Sequence, residues 1–178
     1  MRLLTIGHSN HSLETLVELL EQHGVRTLVD VRSAPYSRYN VQFNKERLQQ
    51  ALGQYGLAYV FEGGSLGGRP SDPTCYKDGV VPDEDADYLA EVDYAEVMKR
   101  PWFLRGIERL LKLARAEPTA ILCSEEDPAR CHRHHLIACH LLAEHPEVDV
   151  QHIRGDATVV SARSIEASKP EFRQLSLF

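Results

Sequence analysis

The segment richest in reactive side chains runs from residue 123 to residue 133. It places Cys123 before three acidic residues and a proline, and Cys131, His132 and Arg133 follow. A cysteine at the end of a strand and in front of a helix N-terminus has a lowered pKa, as a nucleophile requires. The acidic run would repel an anionic substrate and raise that pKa, which disfavours a cysteine-phosphatase mechanism. We therefore predict a catalytic centre in which Glu125 acts as general acid or base beside Cys123 and His132.

The same segment contains residue types that bind metals. Cys123, Cys131, His132 and His135 are zinc-ligand types, but their spacings match no zinc ribbon or zinc finger. The acidic run offers carboxylates to a divalent cation instead. Cys139 lies deeper in the following helix and is predicted to be a small core residue. The sequence therefore disfavours zinc, leaves a divalent cation open and identifies no cofactor.

A second group of residues is suited to binding a phosphate or a base. A turn such as the one beginning at Gly7 can offer amide N–H groups and the positive end of a helix, and guanidinium forks bind phosphate bidentately. Asp30 is a further candidate acid or base, although an ion pair between Asp30 and Arg32 that holds two loops together is the structural alternative. The predicted substrate-binding residues are Gly7, His8, Ser9, Asn10, Arg32, Arg38, Gly67, Gly68, Arg69 and Arg133.

The elements that must position these residues alternate between apolar runs of strand length and segments of 3.6-residue periodicity. This alternation is typical of βαβ units, and it predicts an α/β fold with a parallel-rich open sheet of about five strands and helices on both faces, in three layers. The strands are predicted at residues 3–6, 27–31, 58–61, 119–123 and 148–153. Ligands bind at the carboxyl ends of such strands. We expect one crevice to contain Asp30, Arg32, Arg69, Cys123, Glu125 and His132.

Local signals predict where several helices begin and end. Ser12 is a predicted N-cap and Gly24 a predicted C′ glycine, and Asn44 is predicted to cap a second helix. Pro128 is placed at the first position of a helix that extends to about residue 144. Periodicity is lost from residue 161. We therefore predict a single α/β domain over residues 1–160 and a flexible tail over residues 161–178.

Composition and charge limit the class of protein. The 178 residues are 43% hydrophobic and 26% charged, as in one ordinary globular domain. The net charge of −6 gives no global basic field, so contact with nucleic acid must be local or delivered by a partner. No stretch approaches the roughly 20 apolar residues of a membrane span, and no signal-peptide core is present. We expect a cytoplasmic protein with reduced cysteines and no membrane partner.

Several short motifs lie along the chain. They are Thr5-Ile-Gly-His-Ser-Asn10, Ser12-Leu13-Glu14, Leu28-Val-Asp-Val-Arg-Ser-Ala-Pro35, Ser37-Arg38, Phe43-Asn44, Leu66-Gly-Gly-Arg69, and Leu122-Cys-Ser-Glu-Glu-Asp-Pro128 with Cys131-His-Arg133. Together they closely resemble the domain of unknown function 488 family over about residues 3 to 155. The resemblance implies an α/β domain with these motifs gathered at one site, and it implies no particular reaction.

The last five residues form a separate motif. Gln174-Leu-Ser-Leu-Phe178 resembles the segment by which bacterial polymerases and repair proteins dock on the sliding clamp. The predicted partner-binding residues are Gln174, Leu175, Leu177 and Phe178. Packing of this apolar end on its own domain is the alternative.

These observations favour an enzyme of nucleic-acid or nucleotide metabolism. Carboxylates beside arginines suit hydrolysis in a crevice that binds a phosphate or a base, and the tail would supply the tether to DNA through the clamp. One alternative is a small-molecule enzyme for a phosphorylated or nucleoside substrate with no role at DNA. The other is a non-catalytic adaptor bound to the clamp.

Overall fold

The computed structural model describes residues 1–83 and 85–168, and its centre is one mixed sheet. The strands are β1 (Arg2–Gly7), β2 (Thr27–Asp30), β3 (Ala58–Phe61), β4 (Thr119–Cys123), β5 (Asp149–Ile153) and β6 (Val159–Ser161). Their order in the sheet is β3-β2-β4-β1-β5-β6. β1 to β5 pair in parallel, and β6 pairs with β5 antiparallel. The predicted parallel-rich α/β sheet is confirmed, with one short edge strand more than expected.

Eight α-helices accompany the sheet within the described residues. They are α1 (Leu13–Gln22), α2 (Lys45–Gln54), α3 (Gly63–Leu66), α4 (Tyr88–Glu91), α5 (Tyr94–Val97), α6 (Pro101–Ala116), α7 (Cys139–Glu144) and α8 (Ala162–Ala167). Ser12 caps α1 as predicted, because its hydroxyl accepts from the Thr15 amide at 3.1 Å. Gly24 adopts a φ of 71°, which confirms the C′ glycine. Asn44 precedes α2 but accepts instead from the Ser37 amide at 2.7 Å, so it anchors a loop rather than the helix.

Alternate side chains of the strands supply cores on both faces of the sheet. Leu4 and Leu28 belong to the core packed by α1 and α2. Leu3 and Val29 belong to the opposite core, which includes Phe103 of α6. Full burial of one such side chain contributes roughly 1.5 to 3 kcal/mol, so both faces must be covered. The expected three-layer arrangement is confirmed.

The chain between β4 and β5 differs from the single helix predicted there. Pro128 does begin a helical turn, but that 3₁₀ turn ends at Arg130 and Cys131 is extended. A π-helical segment, Arg133–Ala138, follows and leads into α7. Periodicity could not reveal this break, because a π segment of six residues is too short to show a period of its own. Single π turns inside α-helices occur frequently at functional sites.

Two short elements lie on either side of the predicted domain boundary at residue 160. β6 and α8 follow residue 158 and lie against β5, so regular structure continues into the segment predicted to be a tail. The three-residue strand and the six-residue helix were too short to produce a recognisable period. Gln174, Leu175, Leu177 and Phe178 lie outside the described residues. Across residues 1–83 and 85–168, every helix falls short of the length and apolar character that crossing a bilayer requires.

Candidate functional site

Three neighbouring strand ends build the candidate site. β2, β4 and β1 lie side by side and parallel, so Asp30, Cys123 and Gly7 finish at the same edge of the sheet. The His8 amide donates to the Cys123 carbonyl at 2.9 Å and joins the two loops that follow β1 and β4. The sheet topology thus brings together residues that lie far apart in the chain.

Cys123 and His132 form a buried pair of thiol and imidazole. Cys123 Sγ lies 3.6 Å from His132 Nδ1, and His132 Nε2 lies 3.1 Å from the Val31 carbonyl oxygen. A carbonyl oxygen can only accept, so Nε2 carries a proton and Nδ1 faces the thiol. The side chains are 6% and 8% exposed. A nucleophile beside a base that a third group orients is the arrangement of covalent catalysis.

The surrounding groups favour a thiolate paired with an imidazolium. A hydrogen bond from Cys131 lowers the pKa of the Cys123 thiol well below its ordinary value despite burial, and the charges of His132 and Arg133 act in the same direction. Burial and the neighbouring Cys123 raise the pKa of Cys131, which keeps its proton. Burial is the largest single effect and would lower the pKa of His132, but the charge of Cys123 together with the hydrogen bonds to Cys123 and to the Val31 carbonyl makes the net shift upward. Cys123 is therefore the reactive thiol of the two.

The acidic residues after Cys123 are turned away from it. The Glu126 carboxylate accepts from Arg154 Nε at 2.8 Å and from Nη2 at 2.7 Å. Asp127 accepts from the Ala129 amide at 3.0 Å, and Glu125 is exposed. The expectation that this run raises the pKa of Cys123 was wrong, because that pKa is lowered, and Arg154 and the Ala129 amide hold two of the three carboxylates. The part of the sequence argument that rested on a raised thiol pKa no longer applies.

The loop after β4 is held by its carbonyl oxygens. The Ser124 carbonyl accepts from the Ser9 amide at 2.8 Å, the Glu125 carbonyl accepts from Arg133 Nη1, and the Glu126 carbonyl accepts from Arg133 Nη2 at 2.6 Å. Arg133 is fully buried and holds the loop in place. Gly7 is required beside it, because a Cβ there would lie 1.8 Å from the Glu125 oxygen.

This arrangement leaves successive amide groups directed to the other side of the loop. In a planar trans peptide the N–H points opposite to the preceding carbonyl. The amides of Glu125, Glu126 and Asp127 therefore point away from Arg133 and Ser9. None of them donates to an acceptor within residues 1–83 and 85–168. Successive main-chain N–H groups of this kind can bind an anion.

Asp30 and Arg32 form a second buried network beside the thiol. Arg32 Nε and Nη2 lie 2.9 and 2.6 Å from the two oxygens of Asp30, and Nη2 also donates to the Phe43 carbonyl at 2.8 Å. Arg32 Nη1 lies 3.2 Å from His8 Nε2, and the Tyr59 hydroxyl donates to Asp30 at 2.7 Å. Asp30 is completely buried and Arg32 is 5% exposed. This geometry is the structural ion pair that the sequence left open beside the catalytic and ligand-binding roles.

A glycine-rich segment lies over the imidazole. A Cβ on Gly68 would come within 2.5 Å of His132 Cγ, and one on Gly67 within 2.4 Å of Ser33 Oγ. The Arg69 amide donates to Ser33 Oγ at 2.9 Å, and the Arg69 guanidinium lies 4.1 Å from the centre of the Tyr88 ring. Gly67 and Gly68 therefore allow a close approach of main chain to the site, while the exposed Arg69 lies at its margin.

Two predicted binding residues lie apart from these networks. Asn10 and Arg38 are exposed, and neither side chain makes a hydrogen bond or ion pair in the part of the chain that the structure describes. The predicted residues thus divide into a thiol pair, an ion-pair network, a loop with its arginine, and exposed side chains. The sequence predicted a single crevice. The structure instead has adjacent buried networks, with some of the predicted side chains exposed.

Cys131 and the Val31 carbonyl complete the site, but sequence reasoning gave neither a role in catalysis. Cys123, Cys131 and His132 also present three buried ligand atoms within 4.8 Å of one another. These ligand types suit zinc, although the nearby guanidinium of Arg133 opposes a divalent cation. The two thiols are eight residues apart in the chain, and they come together because the 3₁₀ turn folds the loop back.

Comparison with known proteins identifies one family. The family model described as domain of unknown function DUF488 matches residues 12–139. The match covers β2 to β4 and the thiol pair. No curated protein and no solved structure matches the chain.

Proposed function

The chain belongs to the domain of unknown function 488 family, whose name specifies no reaction, and we propose from its own site that it is a thiol-dependent hydrolase of phosphate-bearing substrates. Cys123 is the nucleophile and His132 its acid and base. The observation that carries the proposal is the 3.6 Å contact between Cys123 Sγ and His132 Nδ1, with Nε2 held by the Val31 carbonyl. Asp30 is paired with Arg32 and Glu125 is exposed, so neither is assigned a chemical step in this proposal.

In the first step, the Cys123 thiolate attacks the phosphorus of a phosphate ester. An S–P bond forms while the bond between phosphorus and the leaving oxygen breaks. The His132 imidazolium gives its Nδ1 proton to that oxygen. In the second step, water attacks the phosphorus, the S–P bond breaks and the water proton returns to Nδ1. Phosphate is released, and the thiolate and imidazolium are restored.

The loop after β4 supports an anionic substrate. The three amides at Glu125, Glu126 and Asp127 give a place for phosphate oxygens without adding a titratable group. Donors already fixed in position stabilise charge that develops during reaction, since they need not reorganise. Arg133 contributes by fixing the loop through its carbonyl oxygens.

The nucleic-acid assignment depends on the C-terminal motif. A net charge of −6 provides no general attraction to a polyanion, so a partner must bring the enzyme to DNA. In this proposal Gln174, Leu175, Leu177 and Phe178 dock on the sliding clamp. One short segment must be ordered on binding, so the affinity is expected to be on the order of micromolar.

Selective alkylation and hydrolysis test the catalytic proposal. Iodoacetamide at neutral pH should modify Cys123 before Cys139, although Cys139 is the more exposed thiol. Hydrolysis of p-nitrophenyl phosphate, nucleotides and 5′- or 3′-phosphorylated oligonucleotides should be lost in Cys123→Ser and retained in the control Cys139→Ser. His132→Gln should lower the rate by about 10² to 10⁴-fold. Preferential alkylation of Cys139, or hydrolysis by Cys123→Ser, would contradict the proposal.

The clamp interaction is tested separately. The full chain and a peptide of residues 169–178 are titrated with purified clamp, and Leu177→Ala with Phe178→Ala should abolish binding by both. Hydrolysis of p-nitrophenyl phosphate should be unchanged in that double variant. If neither the chain nor the peptide binds, the small-molecule alternative replaces the role at DNA. Binding without hydrolysis of any substrate would favour the adaptor.

A further inference from the structure

We propose that His134, Cys139 and Glu166 form a zinc site separate from the thiol pair. His134 Nε2 lies 2.7 Å from Glu166 Oε1, and the Cys139 thiol donates to the same oxygen at 3.2 Å. All three ligand atoms lie within 4.8 Å of one another. Tetrahedral zinc with bonds of about 2.0 to 2.3 Å separates its ligand atoms by roughly 3.3 to 3.7 Å. Shifts below about 1 Å would therefore place a zinc ion between these atoms.

The π-helical segment explains how two of these ligands come together. Residues five apart in an α-helix point about 140° away from each other. Here the Cys139 amide donates to the His134 carbonyl, the five-residue hydrogen bond of a π turn. This bond directly joins the two ligand residues. Without the π turn, the His134 imidazole and the Cys139 thiol would not reach one oxygen of Glu166.

A buried chain of hydrogen bonds orients the His134 ring. His134 Nδ1 lies 3.1 Å from His152 Nε2, and His152 Nδ1 lies 2.7 Å from the Thr5 hydroxyl. Because a hydroxyl can donate or accept, the protons of this chain can face either way. In one direction His134 Nε2 donates to Glu166. In the other, Nδ1 donates to His152 and leaves the Nε2 lone pair for a metal, as histidine ligands generally require.

The donor set selects zinc rather than a hard cation. Thiolate and imidazole bind zinc, whereas calcium and magnesium take oxygen ligands. Three protein ligands leave one coordination position, and a cavity of about 410 Å³ adjoins it. Cys139 and Glu166 line this cavity together with Leu142, Ala143 and Arg163. Water or a small anion can therefore supply the fourth ligand, which is the pattern of a zinc centre with an exchangeable position.

No sequence pattern indicates this site. Its ligands are spaced by five and by 27 residues, and Glu166 lay in the segment predicted to be a flexible tail. Cys139 is half-buried in contact with Glu166, so its assignment as a simple core residue is corrected. The third ligand is positioned only because α8 packs beside α7 and β5.

Metal titration of the full chain tests the proposal without any activity assay. The protein is stripped with a chelator, and zinc is added in competition with a chromophoric indicator. Cobalt(II) is titrated in parallel, because thiolate ligation produces a near-ultraviolet charge-transfer band. The test variants are Cys139→Ser and Glu166→Gln. The controls are Glu144→Gln, which changes an exposed carboxylate of the same helix, and Cys123→Ser, which disables the other candidate cluster.

The expected result is one equivalent of zinc and the cobalt–thiolate band in the wild type and in both controls. Each test variant should lower the affinity for zinc by at least about tenfold, and Cys139→Ser should remove the cobalt–thiolate band. Zinc-free thermal unfolding of all five proteins shows whether a variant has lost its fold. Absence of zinc binding in the folded wild type would overturn the proposal. Binding that survives both test variants, or that disappears in Cys123→Ser, would overturn it equally.

Discussion

Replacement of Arg32 by methionine distinguishes a structural arginine from a ligand-binding one. Methionine keeps most of the aliphatic length but removes the guanidinium. That group donates hydrogen bonds to Asp30 and to the Phe43 carbonyl, and it contacts the His8 ring nitrogen. A buried carboxylate would then remain without its cation. Removal of one partner from a buried ion pair costs about 3 to 5 kcal/mol.

The structure places the expected loss at the lower end of that range. The Asp30 carboxylate would still accept from the Arg32 amide at 3.1 Å and from the Tyr59 hydroxyl at 2.7 Å. We therefore expect Arg32→Met to lower the free energy of unfolding by about 3 kcal/mol. For a domain of this size, that loss lowers Tm by about 6 to 12 °C.

Urea unfolding monitored by circular dichroism measures the change, with Arg109→Met as the matched control. Arg109 also pairs with a carboxylate, Glu62, but its side chain is 50% exposed. A solvent-screened pair of this kind contributes at most about 1 kcal/mol. If Arg32→Met were no more destabilising than Arg109→Met, the structural interpretation would be refuted. Loss of nucleotide-induced stabilisation in a stable Arg32→Met protein would instead support ligand binding.

Three further predictions concern the thiol, the glycines and the ion-pair network. The pKa of Cys123 is lowered, so its alkylation rate should reach a plateau at a lower pH than the alkylation rate of a cysteine peptide. The same pH dependence in the protein and the peptide would contradict the assignment of Cys123 as a thiolate. Gly7→Ala should lower the free energy of unfolding by about 3 kcal/mol or more, because its Cβ would overlap a loop carbonyl. Gly64 has open space around it, so Gly64→Ala should change that free energy by less than about 1 kcal/mol. Calorimetry of both variants measures the difference. Tyr59→Phe should cost about 1 to 2 kcal/mol in urea unfolding through the lost hydrogen bond to the buried carboxylate, and an unchanged midpoint would show that this bond is not needed.

The local part of the fold could be read from the sequence because it depends on neighbouring residues. Ser12 caps α1 through a residue three positions away, and Gly24 ends that helix because it accepts a positive φ. Apolar runs bounded by turns gave five of the six strands. Elements that lacked such signals were missed, including the short β6 and α8.

The sequence by itself determined an α/β sheet, the family and the presence of reactive side chains at the strand ends. Only the tertiary structure decided which of these side chains face one another. Arg32 could bind a ligand or Asp30, and the burial of both beside Tyr59 favours the ion pair. The acidic run could act on Cys123 or lie elsewhere, and Arg154, which directly follows β5, binds the Glu126 carboxylate. The physical reason is that charges and hydrogen bonds act over a few ångströms. The order of strands in the sheet determines which side chains come that close, and their separation in the sequence does not.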